Sequence, residues 1–372
     1  MRFETKAIHS GVNIANPNRD VVPPIHRSTV FEHSDEGSME GDLKYTRVAN
    51  PNRLRLEALL ADLEEGAEAA AFSSGVAAAT AVFQSLRPGD HVLMPADVYA
   101  GNRKLIKDVM VPWGLEVDFI PMTEVEKIER ALRENTRLVW IETPSNPLLN
   151  ITDIKEVNKL AHEHGAITCV DNTWPSPVNQ QPLSLGSDLA LHSTTKYLGG
   201  HSDILGGAVI AREAGELMER IRNLQINMGG VPSPEDCWLL NRSIRTLPYR
   251  MRAHNENAGL LARFLQNHSR VEKVFYPGLA THAGHEIAKE QMSGYGGMIS
   301  FLIEGGKEEA LKIVAGSSLI SRATSLGGVE STWEHRRSSE GPDSETPQNL
   351  IRISVGLEHA DDLLEDLDRA LS

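Results

Sequence analysis

The stretch Leu191-His-Ser-Thr-Thr-Lys196-Tyr-Leu-Gly-Gly-His-Ser-Asp203 sets a single lysine among hydroxyls, ahead of a glycine pair. A lysine on a short loop can hold a carbonyl carbon as an imine, while Ser193 and Thr195 beside it take a phosphate. A solvated surface lysine is the competing account, because Thr-Lys-Tyr alone carries no chemistry.

Asp171 shifts that balance. It ends the apolar run Ala166-Ile-Thr-Cys-Val170, which reads as a buried parallel strand. Its carboxylate then falls at a strand's C-terminal end, where open α/β sheets bind ligands. A carboxylate there keeps a pyridine nitrogen protonated and makes the ring an electron sink. Taken alone, Asp171 reads first as a buried aspartate capping the turn at Asn172. Taken with Lys196, it points to pyridoxal 5'-phosphate.

Other residues gain meaning beside that pair. In Ser73-Ser74-Gly75-Val76, hydroxyls and a glycine open an alanine-rich helix whose free N–H groups make an anion site, as well as an ordinary N-cap. Tyr99 follows the strand Gly89–Met94 and either stacks on a ring and acts as an acid, or is a buried tyrosine with a satisfied hydroxyl. Asn146 lies in Thr-Pro-Ser-Asn146-Pro, where proline fixes the loop. Tyr45 and Arg47, spaced to share one face of an extended segment, can grip one phosphate or simply sit on the surface. Arg352, inside Leu350-Ile-Arg-Ile-Ser-Val355, needs a carboxylate partner. That partner is a substrate carboxylate or an acidic residue of the chain. Thr281-His-Ala-Gly-His285-Glu lacks a third ligand at metal-site spacing, so no metal is assigned.

These residues need elements to position them. An amphipathic helix is expected from Asn52 to Gly66, then strands at Glu68–Phe72, Gly89–Met94, Leu138–Glu142, Ala166–Val170 and Gly207–Ile210, with helices between. That alternation predicts an α/β fold with a mainly parallel, doubly wound sheet. The first fifty residues, rich in Pro, Asn, His and charge, read as an arm without regular periodicity. A helix is expected over 212–227. Helices over 235–247 and 249–267 then lead to a smaller C-terminal α+β part with strands at Gly297–Ile303 and Leu350–Val355. The divisions are an arm at 1–50, a large domain at 51–234 and a small domain at 235–372. Gly305–Glu309 and Ser338–Pro347 read as solvated turns.

The 372 residues carry a formal charge of −14 and no long basic run, which argues against nucleic acid or an anionic membrane as partner. No stretch has the apolar length of a membrane span, and the charged start Met1–Lys6 lacks a signal-peptide core, so a cytoplasmic location is expected. Cys169 and Cys237 suit core thiols rather than a disulfide framework. Neither GxGxxG nor GxxxxGK[ST] occurs.

The chain resembles the trans-sulfuration, or Cys/Met-metabolism, family of pyridoxal-phosphate enzymes from about Pro23 to Leu364. The likeness is carried by Tyr45-Thr-Arg47, Ser73-Ser-Gly75, Asp97-Val-Tyr99, Glu142-Thr-Pro-Ser-Asn146-Pro, Val170-Asp-Asn-Thr173, the Lys196 stretch, Ser325-Leu326-Gly-Gly, and Arg352-Ile-Ser-Val-Gly-Leu-Glu358. The resemblance implies a fold-type I transferase-like architecture. Lys196 would be the Schiff-base lysine and proton carrier, Asp171 would hold the pyridine nitrogen, and Tyr99 would stack on the ring. Asn146 would lie near the phenolic oxygen, with Ser74, Gly75, Val76, Ser193 and Thr195 around the phosphate. Tyr45 and Arg47 would come from a neighbouring subunit, making a homodimer with shared sites, assembled further into a homotetramer. Arg352 with Ser325 and Leu326 would clamp the carboxylate of an amino-acid substrate. The implied reaction is γ-elimination or γ-replacement on sulfur amino acids or homoserine esters.

The chain departs from the family pattern at several places. Lys44 and Thr324 stand where many relatives place acidic residues that meet the substrate's distal ammonium. Trp174 narrows a wall, and Glu334-His-Arg-Arg-Ser338 replaces a frequent Met-Thr-His-Ala stretch. A specialised relative acting on a different amino acid is therefore the alternative. A catalytically silent scaffold is disfavoured, because Lys196 and Asp171 are both present.

Overall fold

A computed structural model describes residues 1–33, 43–340 and 344–372 of the chain. Seven strands form the larger sheet: β1 (Glu68–Phe72), β2 (His91–Pro95), β3 (Glu116–Ile120), β4 (Thr136–Glu142), β5 (Ile167–Asp171), β6 (Leu189–His192) and β7 (Gly207–Ala211). Their order is β1-β7-β6-β5-β4-β2-β3, and only β7 runs against its neighbours. The period of two along each strand explains the continuous apolar runs. Val92, Met94, Leu138, Trp140 and Cys169 feed a core on one face, while Leu93, Val139, Ile141 and Val170 feed another on the opposite face. Each such fully buried aliphatic side chain contributes about 1.5–3 kcal/mol relative to exposure. With both faces covered, the strand ends are the edge left open to a ligand.

A second sheet contains β8 (Val271–Phe275), β9 (Met298–Ile303), β10 (Ser321–Arg322), β11 (Thr332–His335) and β12 (Leu350–Ser354), in the order β10-β11-β12-β9-β8. All its pairs are antiparallel except β10 with β11. Helices Leu247–Gln266, Lys307–Gly316 and Ala360–Leu371 cover it, bringing Leu261, Ile313 and Leu367 onto Ile299, Phe301 and Ile353. Helix Pro234–Ile244 packs elsewhere. Its Cys237, Leu240 and Ile244 share a core with Leu56, Leu59 and Leu60 of helix Pro51–Glu64.

Several local expectations are corrected. Helix Pro51–Glu64 is not amphipathic but buried nearly all round, Arg53, Arg55, Glu57 and Glu64 included. Its polar side chains serve backbone groups. Arg55 donates to the carbonyls of Ile14 and Ala15 at 2.6 Å each, and Glu57 accepts from Ala71 N–H at 2.9 Å. The arm therefore packs on the helix face that periodicity would assign to water. That arm also contains a helix, Phe3–His9, anchored by buried Ala7. The helix expected over 212–227 begins only at Glu216, after Gly215 at φ +153°. Lys307 opens a helix rather than a turn, and Arg336–Glu340 is helical rather than a solvated loop. Residues 341–343 of that expected loop, and 34–42 of the arm, lie outside the described residues. Both cysteines are buried and unpaired by any disulfide. His282 lies in the turn before helix His285–Gln291, and His285 Nδ1 meets the Pro277 carbonyl at 2.8 Å.

Candidate active site

The C-terminal ends of β4, β5 and β6 open into a cavity of about 430 Å³. Parallel register sets Glu142 beside Asp171 and Asp171 beside Leu191, so these ends arrive at one level. Asp171 Oδ1 accepts from Thr173 N–H at 3.1 Å and Thr173 Oγ1 at 2.5 Å, while Ser193 N–H donates to the same Thr173 hydroxyl at 2.9 Å. Burial raises the Asp171 carboxyl above its usual range, opposed by the Thr173 hydrogen bonds and by His192. His192 pairs with Glu64, and Asn172 Nδ2 donates to Glu64 Oε1 at 2.8 Å. Glu142 is held still higher, first by burial and then by the charge of Asp171, although Tyr99 N–H donates to its Oε2 at 2.9 Å. Two like charges this close do not both ionise cheaply, so the pair favours one proton on Glu142 and the charge on Asp171.

An anion cradle closes the inner end. Ser74 caps helix Gly75–Gln84, its Oγ accepting from Ala77 N–H at 3.0 Å. The first-turn amides of Gly75 and Val76 have no earlier helical carbonyl to bond. Ser193 lies so near that a Cβ at residue 75 would come within 2.8 Å of its Cβ. Thr195 Oγ1 donates to the Gly206 carbonyl at 3.2 Å, fastening the lysine loop to the sheet. On the opposite side the Tyr99 ring, 43% exposed, leans over Gly101, where a Cβ would lie 2.3 Å from a ring carbon.

Lys196 Nζ donates to Ser325 Oγ at 2.5 Å. Burial, then Arg352, then Arg336 lower this ammonium to about 8, against the opposing pull of Glu334. Ser325 has φ +85°, unusual for a residue with a side chain. This turn points its hydroxyl at the lysine and its carbonyl at Arg352 Nη2, 3.3 Å away. Arg352, almost fully buried on β12, donates to Asn146 Oδ1 at 2.9 Å and pairs with Glu334 at 2.6 Å, its guanidinium 5.8 Å from the Trp174 ring centroid. The strand arginine thus has an acidic partner of its own chain and still lines the cavity.

Of the residues singled out from sequence, Ser74, Gly75, Val76, Tyr99, Asn146, Asp171, Ser193, Thr195, Lys196, Thr324, Ser325, Leu326 and Arg352 all line this one cavity. Lys44, Tyr45 and Arg47 do not. Arg47 instead donates to the Ile226 carbonyl at 2.7 Å, and Tyr45 is 43% exposed. Sequence reasoning missed Glu142, Arg336, Ser339 and Glu340 as lining residues. Glu142 was signalled by its place at a strand end beside Asp171. The other three had no local signal, because helix Arg336–Glu340 forms only where β11 and β12 leave room for it.

A buried carboxylate, a lysine of lowered basicity, an anion cradle and an exposed aromatic ring around one cavity match the parts of pyridoxal phosphate. The chain belongs to the Cys/Met metabolism PLP-dependent enzyme family, whose model matches residues 4–372. It is an enzyme that uses pyridoxal phosphate. Among relatives, it is 45% identical over 374 residues to cystathionine gamma-synthase of Mycobacterium leprae, covering 99% of this chain and 96% of that one. It is 44% identical to cystathionine gamma-lyase of Bacillus subtilis, over 100% and 99% of the two chains. The crystal structure of metB from Corynebacterium glutamicum superposes with a TM-score of 0.97 at 42% identity, covering 100% of this chain and 98% of that one.

Proposed function

We propose that this enzyme carries out γ-elimination or γ-replacement on a sulfur amino acid or homoserine ester, in the manner of cystathionine γ-synthases and γ-lyases. The observation that carries the reading is Lys196 Nζ, fixed by Ser325 Oγ at 2.5 Å in the cavity that Asp171 closes from within. Bound pyridoxal phosphate supplies an electron sink for charge developed at the carbons of an attached amino acid. Asp171 holds the positive charge of the ring nitrogen. Gly75, Val76, Ser74, Ser193 and Thr195 bind the phosphate, and Asn146 orients the phenolic edge. Once free, Lys196 Nζ takes a proton from the substrate Cα and moves protons at Cβ and Cγ. A fraction of the lysine near neutral pH is already unprotonated, because its ammonium is lowered to about 8. Tyr99 gives a proton to the departing group, and Arg352 turns to the substrate carboxylate. A thiol entering from the outer side and bonding to Cγ gives replacement; with no nucleophile added there, the unsaturated product leaves and is hydrolysed to a 2-oxo acid and ammonia.

Tyr45 and Arg47, which stand outside their own cavity, are assigned to the phosphate of a neighbouring subunit. That makes the working unit a homodimer with shared sites, paired further into a tetramer and located in the cytoplasm. No helix among the described residues is long and apolar enough to cross a membrane. The chain divides into an arm (1–50), a cofactor-binding part (51–234) and a smaller part (235–372), with helix Pro234–Ile244 as the joint.

The test is a visible titration of the holoenzyme with cystathionine, O-acetylhomoserine or O-succinylhomoserine with cysteine, cysteine, and methionine, while 2-oxo acid and thioether products are followed. A response with product from cystathionine or a homoserine ester is expected. Silence with all of them would assign the chemistry to a different amino acid.

A further inference from the structure

Six charged side chains line the cavity among the described residues: Glu142, Asp171, Lys196, Arg336, Glu340 and Arg352. Asp171, Lys196 and Arg352 serve the cofactor end or the substrate's reacting head group in the proposed function, and Glu142 lies beside Asp171 in the sheet register. Arg336 and Glu340 are left over. They stand one helical turn apart in helix Arg336–Glu340, with Arg336 Nε donating to Glu340 Oε1 at 2.8 Å. Both are largely withdrawn from solvent, with side-chain exposures of 8% and 13%.

Each is also braced from behind. Glu340 Oε2 accepts from the Ser344 and Thr346 hydroxyls at 2.5 Å each. Burial pushes this carboxyl up, but those hydroxyls and Arg336 outweigh it and leave it below its usual range. Arg336 Nη1 donates to Glu334 Oε1 at 2.9 Å, and Arg352 pairs with the same oxygen. Glu334 thereby holds the two guanidiniums in one fixed arrangement, and Ser339 Oγ secures its other oxygen at 2.6 Å.

We infer that Arg336 and Glu340 form a second recognition site in this cavity, reading a distal amino-acid head group, carboxylate and ammonium together, on the substrate. The inference rests on the trans-sulfuration reading and names its substrate class: thioethers with an amino acid at each end. Arg336 and Glu340 neutralise each other, so a lone distal carboxylate would compete with Glu340 for Arg336, and a lone distal ammonium would compete with Arg336 for Glu340. A zwitterion satisfies both, because its two charges are spaced by one carbon and can lie against a guanidinium and a carboxylate held side by side. The site also supplies the acid that is absent at Lys44 and Thr324.

The experiment compares cystathionine with methionine, which shares the γ-thioether but ends in a methyl group. Stopped-flow absorbance gives the dissociation constant of each on the holoenzyme before turnover. The expected preference for cystathionine is about a hundredfold or more in the natural protein. It falls about tenfold or more in Glu340→Gln and in Arg336→Met, with the double variant little worse than either. Arg336→Lys should retain part of it. A natural preference near one, or one unchanged in these variants, overturns the inference while leaving trans-sulfuration intact. No spectral response to either ligand defeats the trans-sulfuration reading, and the inference with it.

Discussion

The inner and outer ends of the cavity are built on different principles. At the inner end, Asp171, Glu142 and Leu191 sit in register on adjacent parallel strands, and Thr173 ties Asp171 to Ser193 through 2.5 and 2.9 Å contacts. Position there follows from a ladder that the whole large core supports. At the outer end, Ser325 holds a left-handed backbone while Arg352, Glu334, Arg336 and Glu340 alternate in charge. Position there follows from ion pairs between residues of the second sheet and the short helix between β11 and β12. In the proposed function, the groups assigned to the cofactor lie on the first kind of scaffold, and those assigned to substrate choice lie on the second. Altering a buried ion-pair network changes one pocket wall without moving the strand ends. Because removing one member alone leaves a buried charge unpaired, this wall diversifies cheaply only when the partners change together.

Lys196→Ala breaks the inner end most deeply. Turnover should fall about a thousandfold or more, and the visible band of the lysine-bound cofactor should vanish; an active variant would sink the mechanism. Gly75→Ala comes next, since the new methyl would press on Ser193 at 2.8 Å. Cofactor affinity, followed by fluorescence or dialysis, should weaken by about tenfold or more, with little change in the substrate KM of the fully loaded enzyme. If phosphate does not occupy this cradle, affinity will hold. Arg352→Lys addresses the outer end. A lysine ammonium lacks the planar fork that meets both oxygens of a carboxylate while holding Asn146 and the Ser325 carbonyl, so KM should rise about tenfold with a smaller drop in kcat. An equal loss in kcat and kcat/KM would place Arg352 in the chemistry instead.

The smallest effect concerns pH. Capture of the cofactor by the apoprotein requires unprotonated Nζ, and Lys196 is lowered to about 8 by burial and two arginines. The lysine is neutral above that value and protonated below it. The second-order rate of capture should therefore rise with pH through a midpoint near 8 and level off before the ordinary lysine range. Because Glu334 raises this ammonium, Glu334→Gln should move the midpoint lower. A midpoint near 10 would mean that neither burial nor the outer cations act on Nζ.

Much of this was legible in the chain itself, for a physical reason. Lys196, Asp171, Ser74 and Tyr99 stand next to strand or helix boundaries, and those boundaries are local events written in apolar runs, glycines and capping hydroxyls. Open parallel sheets bind ligands beyond the carboxyl ends of their strands, so the end of the Ala166–Val170 run already marked Asp171 as a candidate. Arg352 was readable as a strand arginine needing a carboxylate. Whether that carboxylate is Glu334 or a substrate's was not readable, because 18 positions separate the two residues and only the pairing of β11 with β12 sets Glu334 opposite Arg352.

Helix Pro51–Glu64 shows the same limit from the side of stability. Its pattern of leucines and charges fits a surface helix, yet the charges are buried, because the arm brings the Ile14 and Ala15 carbonyls to Arg55 and the sheet brings Ala71 N–H to Glu57. By itself the sequence determined the alternating α/β order, the lysine loop and the strand-end acid, since these depend on contacts within one or two elements. Tertiary structure decided that Arg47 turns away from its own cavity, that Glu142 lies against Asp171, and that Arg336 and Glu340 face the cofactor site. Each of those facts is a meeting of charges brought by separate elements, and spacing along a chain does not encode such meetings until the backbone has folded.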